Sequence, residues 1–295
     1  MSIASFIELL GRARREGYAI GYFESWDTYS LEAVIETAEE MRSPAILGFG
    51  GAVADPLWLD DYGVEELAGL ARGLAEHSKV PTAVLFNEAQ TLEQVQRGLR
   101  AGCNAVMQDT SHLPFAENLA ATCKVVELAH ACNAAVEAEL GHLADASNPN
   151  TQARGTDPHE AEQFVSESQV DALAVSVGNV HVLSTGTATI DLERLERLSR
   201  AISVPLVIHG GTGFPAQTVP AVIARGVCKF NVGTRLKRAY LDGIHEAITA
   251  IADPTDIHAL IASRKPVDIF VRGKAKLIQE IRSLMVLYDS AGRVQ

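Results

Sequence analysis

Residues 205–214 read PLVIHGGTGF, a run of buried-strand character that leads straight into His209 and a glycine turn. A histidine at the end of a buried strand can present a neutral ring nitrogen to a divalent ion. Gly210, Gly211 and Gly213 bare the neighbouring backbone N–H groups to an anionic ligand. The stretch reads equally as an ordinary strand end with a hydrogen-bonded histidine. Its meaning depends on what the rest of the chain brings beside it.

Outward from this stretch, short apolar runs alternate with longer segments of helical period, the mark of a parallel sheet with crossover helices. Strands are expected at 19–23, 44–48, 81–86, 104–108, 134–140, 172–177, 205–209 and 229–232. Helices are expected after them at 30–41, 64–77, 92–101, 115–131, 157–166, 191–201, 215–225 and 234–250. Asp157 before Pro158 signs one helix start, and Thr91 followed by Gln94 fits a capping box at another. Eight units in one series, with no dinucleotide fingerprint after the first strand, predict an α/β fold of the (β/α)8 type, a TIM barrel, rather than a doubly wound sheet. Residues 1–295 read as a single barrel domain. A further helical segment at 268–288 makes about 253–295 a C-terminal helical extension that covers the barrel or reaches a neighbouring subunit.

A hydrophobic content of 47% supplies a large core, at a mean hydropathy of +0.08. With 25 basic and 37 acidic residues the net charge is −12, which argues against nucleic acid or an anionic membrane as a partner. Any anionic substrate then needs a local positive feature. Cys103, Cys123, Cys132 and Cys228 lack CxxC spacing and read as reduced, mostly buried thiols. The first residues form an amphipathic helix without a signal peptide's apolar core, so a cytoplasmic location is expected.

Chemistry in such barrels sits where strands end and the following loops begin. Glu24, Asn87, Glu88, Asp109, Glu139, His181, His209 and Asn231 all fall there. Any one carboxylate alone reads as a solvated loop residue. Two histidines and several carboxylates on one rim read as a divalent-metal site, with His181, His209 and a carboxylate as ligands and positions left open for substrate. Lys229 opens strand 8 and raises a Schiff-base mechanism, which would leave both histidines unexplained.

Beyond these positions the chain resembles the class II, metal-dependent fructose- and tagatose-bisphosphate aldolases. The resemblance is carried by GYAIGYF, RSPAIL, residues 111–141, TDPHEAEQFV, DALAVSVGNVH, PLVIHGGTGF, CKFNVGTRLK and the terminal DSAGR. It implies the same barrel, a homodimer or homotetramer, and zinc that polarises a ketose carbonyl and stabilises an enediolate. By position, His181 and His209 match two of three zinc histidines, and Asp109 and Glu139 match acidic residues near the metal. Gly210, Gly211, Thr212, Asn231, Gly233 and Thr234 match segments that hold a substrate phosphate and the reacting hydroxyls. Arg293, in the terminal motif, resembles a phosphate-side residue.

Three departures alter that picture. Where the family reads HLDHG after strand 3, this chain reads LFNEA, so Asn87 replaces the proton-transfer Asp and Glu88 replaces a zinc histidine. A His, His, Glu set still suits catalytic zinc, with Mn2+ or Mg2+ as the alternatives that an added carboxylate favours. Gly50 stands where the family has a serine against the C1 phosphate, and the loop after ELG offers Asp145 in place of glutamates. Against these losses, Glu24 occupies a usual asparagine position, and a carboxylate has thereby appeared on strand 1. The expected function is a divalent-metal lyase performing retro-aldol cleavage of a ketose phosphate or related sugar acid, with Glu24, or else Asp109, as the relocated base. A metal-dependent epimerase or isomerase and an inactive ligand-binding homologue are the alternatives.

Overall fold

The computed structural model describes residues 3–51, 54–146, 153–181, 186–251 and 256–294. Eight parallel strands close into a barrel: β1 (Ile20–Phe23), β2 (Ala45–Gly50), β3 (Thr82–Ala89), β4 (Ala105–Gln108), β5 (Ala135–Leu140), β6 (Ala172–Val175), β7 (Leu206–Ile208) and β8 (Val227–Val232). Each strand lies beside its sequence neighbours, and β1 closes the ring against β8 with Tyr22 opposite Asn231. Helices follow the strands on the outside, as the alternation predicts. The expected helix at 215–225 is instead a 3-10 turn, Ala216–Thr218, and a short helix, Val219–Ile223, because Pro220 supplies no N–H and suits only a first turn. Thr91 does cap the Gln94 N–H, but the Gln94 side chain accepts from Gln90 N rather than completing the box on Thr91.

Alternation along the strands sorts side chains into barrel interior and barrel wall. Ala83, Ala105, Ala135, Ala172 and Ala174 fill the lower interior together with Ile20, Tyr22, Ile46 and Leu85. The amphipathic helix Phe6–Glu16 plugs the N-terminal end through Phe6, Leu9, Leu10 and Ala13. Small residues on facing strands leave room for Tyr22, and the outer faces pack as a separate, larger core against the helices. On the same parity, one step further up, stand Asn87, Glu137, His209, Lys229 and Asn231, all buried. The barrel therefore changes from apolar to polar filling toward its C-terminal mouth.

Helix Ile269–Leu287 packs between helices Thr234–Thr249 and Thr28–Met41. Lys274 bridges Glu32 and Glu36 across that contact, and Arg282 reaches Glu40. Beyond it the chain turns under the barrel: Ala19 N donates to Tyr288 O, and Val294 N to Arg42 O. Cys103 and Cys228 are buried, with burial pushing both thiols up to about 12, whereas Cys123 is half-buried and Cys132 exposed. No described helix is long and apolar enough to cross a membrane.

Candidate metal centre and cavity at the barrel mouth

The strand ends that carry the site are each shaped by a local feature. In β3 the pairing register with β4 shifts between Phe86 and Ala89, and Glu88 adopts φ +51°. A bulge of this kind re-aims a side chain, and a left-handed non-glycine residue costs about 1–3 kcal/mol that surrounding structure must hold. The result turns Glu88 toward the mouth. His209 follows β7, and Gly210 at φ +69° makes the sharp exit, its α-carbon facing Val180 O so closely that a Cβ would lie 2.3 Å from it. His181 ends a two-residue strand, Val180–His181, paired with Ala144–Asp145. Asn179 ties the two histidine segments together by donating from Nδ2 to His209 O at 2.9 Å.

Ligand atoms of Glu88, His181 and His209 lie within 4.8 Å of one another. His209 is fully buried, and two carboxylates bracket its Nδ1: Glu88 Oε1 at 3.2 Å and Glu139 Oε2 at 3.2 Å. Nδ1 nevertheless makes no hydrogen bond of acceptable geometry. An unpartnered nitrogen facing two carboxylate oxygens and a second imidazole calls for a cation between them, so the donor set fits a divalent metal on chemistry alone. Burial raises the Glu88 carboxyl, but His209, His181 and the Asn87 amide outweigh it and hold the group at about 2. Glu88 is thus an anion at any ordinary pH, as a ligand must be.

Beneath these ligands lies a charged pair that sequence reasoning did not assemble. Glu137 accepts from His209 Nε2 at 2.9 Å and holds Lys229 Nζ at 2.9 and 2.8 Å. Lys229 also donates to Asn231 Oδ1, and Asn231 Nδ2 donates to Asn87 Oδ1 at 3.2 Å. Burial pushes the Glu137 carboxyl up, but Lys229 and His209 outweigh it and hold the group below its usual range, whereas burial lowers the Lys229 ammonium against the opposing charge of Glu137. A carboxylate on the far nitrogen of a ligand histidine fixes its ring and raises its basicity. Truncating one partner of such a pair leaves the other charge buried. Lys229→Met is accordingly expected to lower unfolding free energy by about 3–5 kcal/mol in urea titrations. A loss below about 1 kcal/mol, within the range of an exposed ion pair, would show that the pair is not what holds this layer together.

A cavity of about 80 Å³ opens above this layer. Glu24, Asn87, Glu88, His181, His209, Gly210, Thr212, Asn231, Gly233 and Thr234 line it, so most expected site residues do converge. Glu24 forms an ion pair with Lys237 at 3.1 Å. Burial raises its carboxyl above the ordinary range, Lys237 opposes that shift and Glu88 adds to it.

Other positions fall elsewhere. Asp109 is not among the lining residues, and its carboxylate accepts from Ser111 N at 3.0 Å in a local turn. Glu139 is not among the lining residues although its carboxylate stands beside His209 Nδ1, and Gly211 is buried in the turn. The side chain of Asp145 lies outside the described residues. Arg293 lies apart from the cavity of its own chain: it pairs with Asp289 and stacks 5.0 Å over Tyr18, which precedes β1 at the closed end of the barrel. The helix Ile269–Leu287 carries the terminal motif down the barrel wall, away from the mouth of its own chain.

The sequence profile described as fructose-bisphosphate aldolase class-II matches residues 4–293. Among solved structures, the YdjI aldolase from Escherichia coli K12 is 26% identical with a TM-score of 0.83, covering 99% of this chain and 100% of that one. A Coccidioides immitis protein described as a candidate fructose-1,6-biphosphate aldolase is 27% identical with a TM-score of 0.82, covering 98% of this chain and 97% of that one. The fructose-bisphosphate aldolase from Campylobacter jejuni, at 20% identity and a TM-score of 0.78 over 98% of this chain and 96% of that one, shares the fold. A profile that spans the barrel and its terminal helix alike, on a chain whose mouth gathers two histidines and a carboxylate, settles the family: this chain belongs to the class II fructose-bisphosphate aldolases.

Proposed function

We propose that the protein is a divalent-metal lyase that cleaves a ketose phosphate or related sugar acid by a retro-aldol reaction. Family membership supports the aldolase-type lyase, and one observation carries the finer reading. Glu88, His181 and His209 converge to within 4.8 Å beneath a cavity that also presents the Glu24 carboxylate. Those three residues would hold the ion, Zn2+ by the nature of the donors, with Mn2+ or Mg2+ as alternatives. When bound, the ion supplies Lewis acidity toward the ketose carbonyl.

The chain's own groups account for the remaining work. Glu137 holds the His209 ring in register through Nε2, and Lys229 holds Glu137. Asn87 accepts from Asn231 and its amide helps hold the Glu88 carboxyl ionised, but an amide cannot itself exchange the proton. Glu24 takes the proton of the substrate hydroxyl that it faces. As that proton leaves, the adjacent carbon–carbon bond breaks, an aldehyde forms, and the bonding electron pair passes to the ketone half. That half takes up a proton at the same carbon to leave as the neutral ketone, while Glu24 gives up its own. A carboxyl raised by burial is suited to this exchange because its proton affinity lies nearer that of a working base.

Elemental analysis of the purified protein, followed by assay of ketoses and their phosphates for aldehyde release, tests the proposal. About one divalent ion per chain, with metal-dependent aldehyde release, is expected. Conversion of a ketose without aldehyde release would mark an isomerase or epimerase instead, and no retained metal after reconstitution would overturn the enzyme reading.

A further inference from the structure

Glu24 stands one step beyond the last β1 pair, with Glu24 N donating to Val232 O at 3.0 Å. By register Glu24 lies opposite Gly233 after β8 and Gly48 on β2, and its side chain reaches over Gly50, the next interior position of β2, so no side chain meets it on either flank. That absence is used. A Cβ on Gly233 would lie 2.0 Å from Glu24 Oε2, and one on Gly50 would lie 3.0 Å from Glu24 Oε1. The carboxylate therefore lies across the β8 turn, at the start of helix Thr234–Thr249. Turns after strands 7 and 8 are where barrels commonly receive a phosphate, on backbone N–H groups and a helix N-terminus. Here the chain's own anion lies in that position.

The surrounding cations are committed as well. Lys237 pairs with Glu24, Arg235 turns outward to Glu280, and Lys229 is buried on Glu137. No lysine or arginine is among the described residues lining the cavity, and the segments outside the described residues contain none in their sequence. Among the described residues the cavity wall thus carries two carboxylates, Glu24 paired with Lys237 and Glu88 set against the two histidines.

We infer that the part of the substrate seated against the β7 and β8 turns is unphosphorylated: it offers Glu24 a hydroxyl, and any phosphate or carboxylate of the substrate lies away from these turns. A phosphate dianion there would meet a carboxylate at contact distance, whereas a hydroxyl both satisfies that carboxylate and uses the bare N–H groups as an acceptor. This rests on the cavity being the sugar site, and not on Glu24 acting as the base.

The test uses the metal-loaded full chain and two probe pairs, dihydroxyacetone with its phosphate and glyceraldehyde with its 3-phosphate, titrated against wild type and Glu24→Ala. Both halves of a ketose are thereby sampled. For one pair, wild type is expected to bind the free triose at least as tightly as the ester. Glu24→Ala is expected to raise that pair's ester-to-triose affinity ratio about tenfold or more, as relief of a like-charge contact should. The other pair's ratio should stay fixed. An unchanged ratio for both pairs, or tighter ester binding to wild type in both, overturns the inference and leaves the lyase reading standing. Failure of every probe to bind a protein that retains its metal overturns both.

Discussion

Glu88→Ala is expected to cost the protein its metal: affinity should fall by more than the about 10–100-fold typical of losing an outer hydrogen-bond partner, because a ligand atom itself is removed. Glu88 is the residue on which the site's departure from its family turns, since it stands where the resemblance places a zinc histidine. Its backbone lies at φ +51° in a bulge, and its carboxyl is held at about 2 by His209, His181 and Asn87 after burial has pushed the other way. Both features serve one orientation of one side chain. Metal content after dialysis, compared between wild type, Glu88→Ala and Glu88→His, measures this. Glu88→His restores a three-histidine set and is expected to retain zinc; equal metal in wild type and Glu88→Ala would remove Glu88 from the site and leave the two histidines without a third ligand.

Much of this architecture was legible before any coordinate. The eight strands lie where apolar runs end in glycine, proline or a polar rim residue, and helices Val64–His77, Leu92–Ala101 and Phe115–Ala131 begin and end at the residues their periodicity marks. Such signals are local, so the sequence carries them whole. His181, His209 and Glu88 were also accessible, since strand ends in a barrel share one rim. What the sequence hid were relations across the barrel. Glu137 sits in AVEAEL, two residues before Glu139, and the period of two places both inside; that alternation is the signal that could have found it. Its partner Lys229 comes from 92 residues away, and only closure of the sheet brings them to 2.8 Å. The role of Gly233 was hidden for the same reason: a glycine's value here lies in the neighbour that fills its space. The place of Arg293 was hidden too, because a short terminal motif has no direction of its own, and the preceding helix decides which end of the barrel it reaches.

Glu24→Gln should lower turnover by about 10²–10⁴-fold, the usual contribution of a positioned acid or base, with metal content unchanged. The two halves of that result separate Glu24 from Glu88. Both line one cavity, yet Glu24 is tied to Lys237 and is not one of the converging ligand atoms. Glutamine keeps the shape, and it still fits over Gly50 and Gly233, so a fall in turnover would report the lost proton acceptor rather than a collapsed pocket. The pH profile adds an independent reading. A base works ionised, so activity is lost as pH falls through its pKa. Burial has raised the Glu24 carboxyl, with Lys237 opposing, so the acidic limb should lie above that of an ordinary carboxylate and vanish from the residual activity of Glu24→Gln. Full turnover in Glu24→Gln would return the proton step to another group. Asn87 cannot take it, and Asp109 is occupied with the Ser111 amide outside the cavity. A substrate hydroxyl or solvent would then be the carrier, and Glu24 would serve only to select the uncharged end of the sugar.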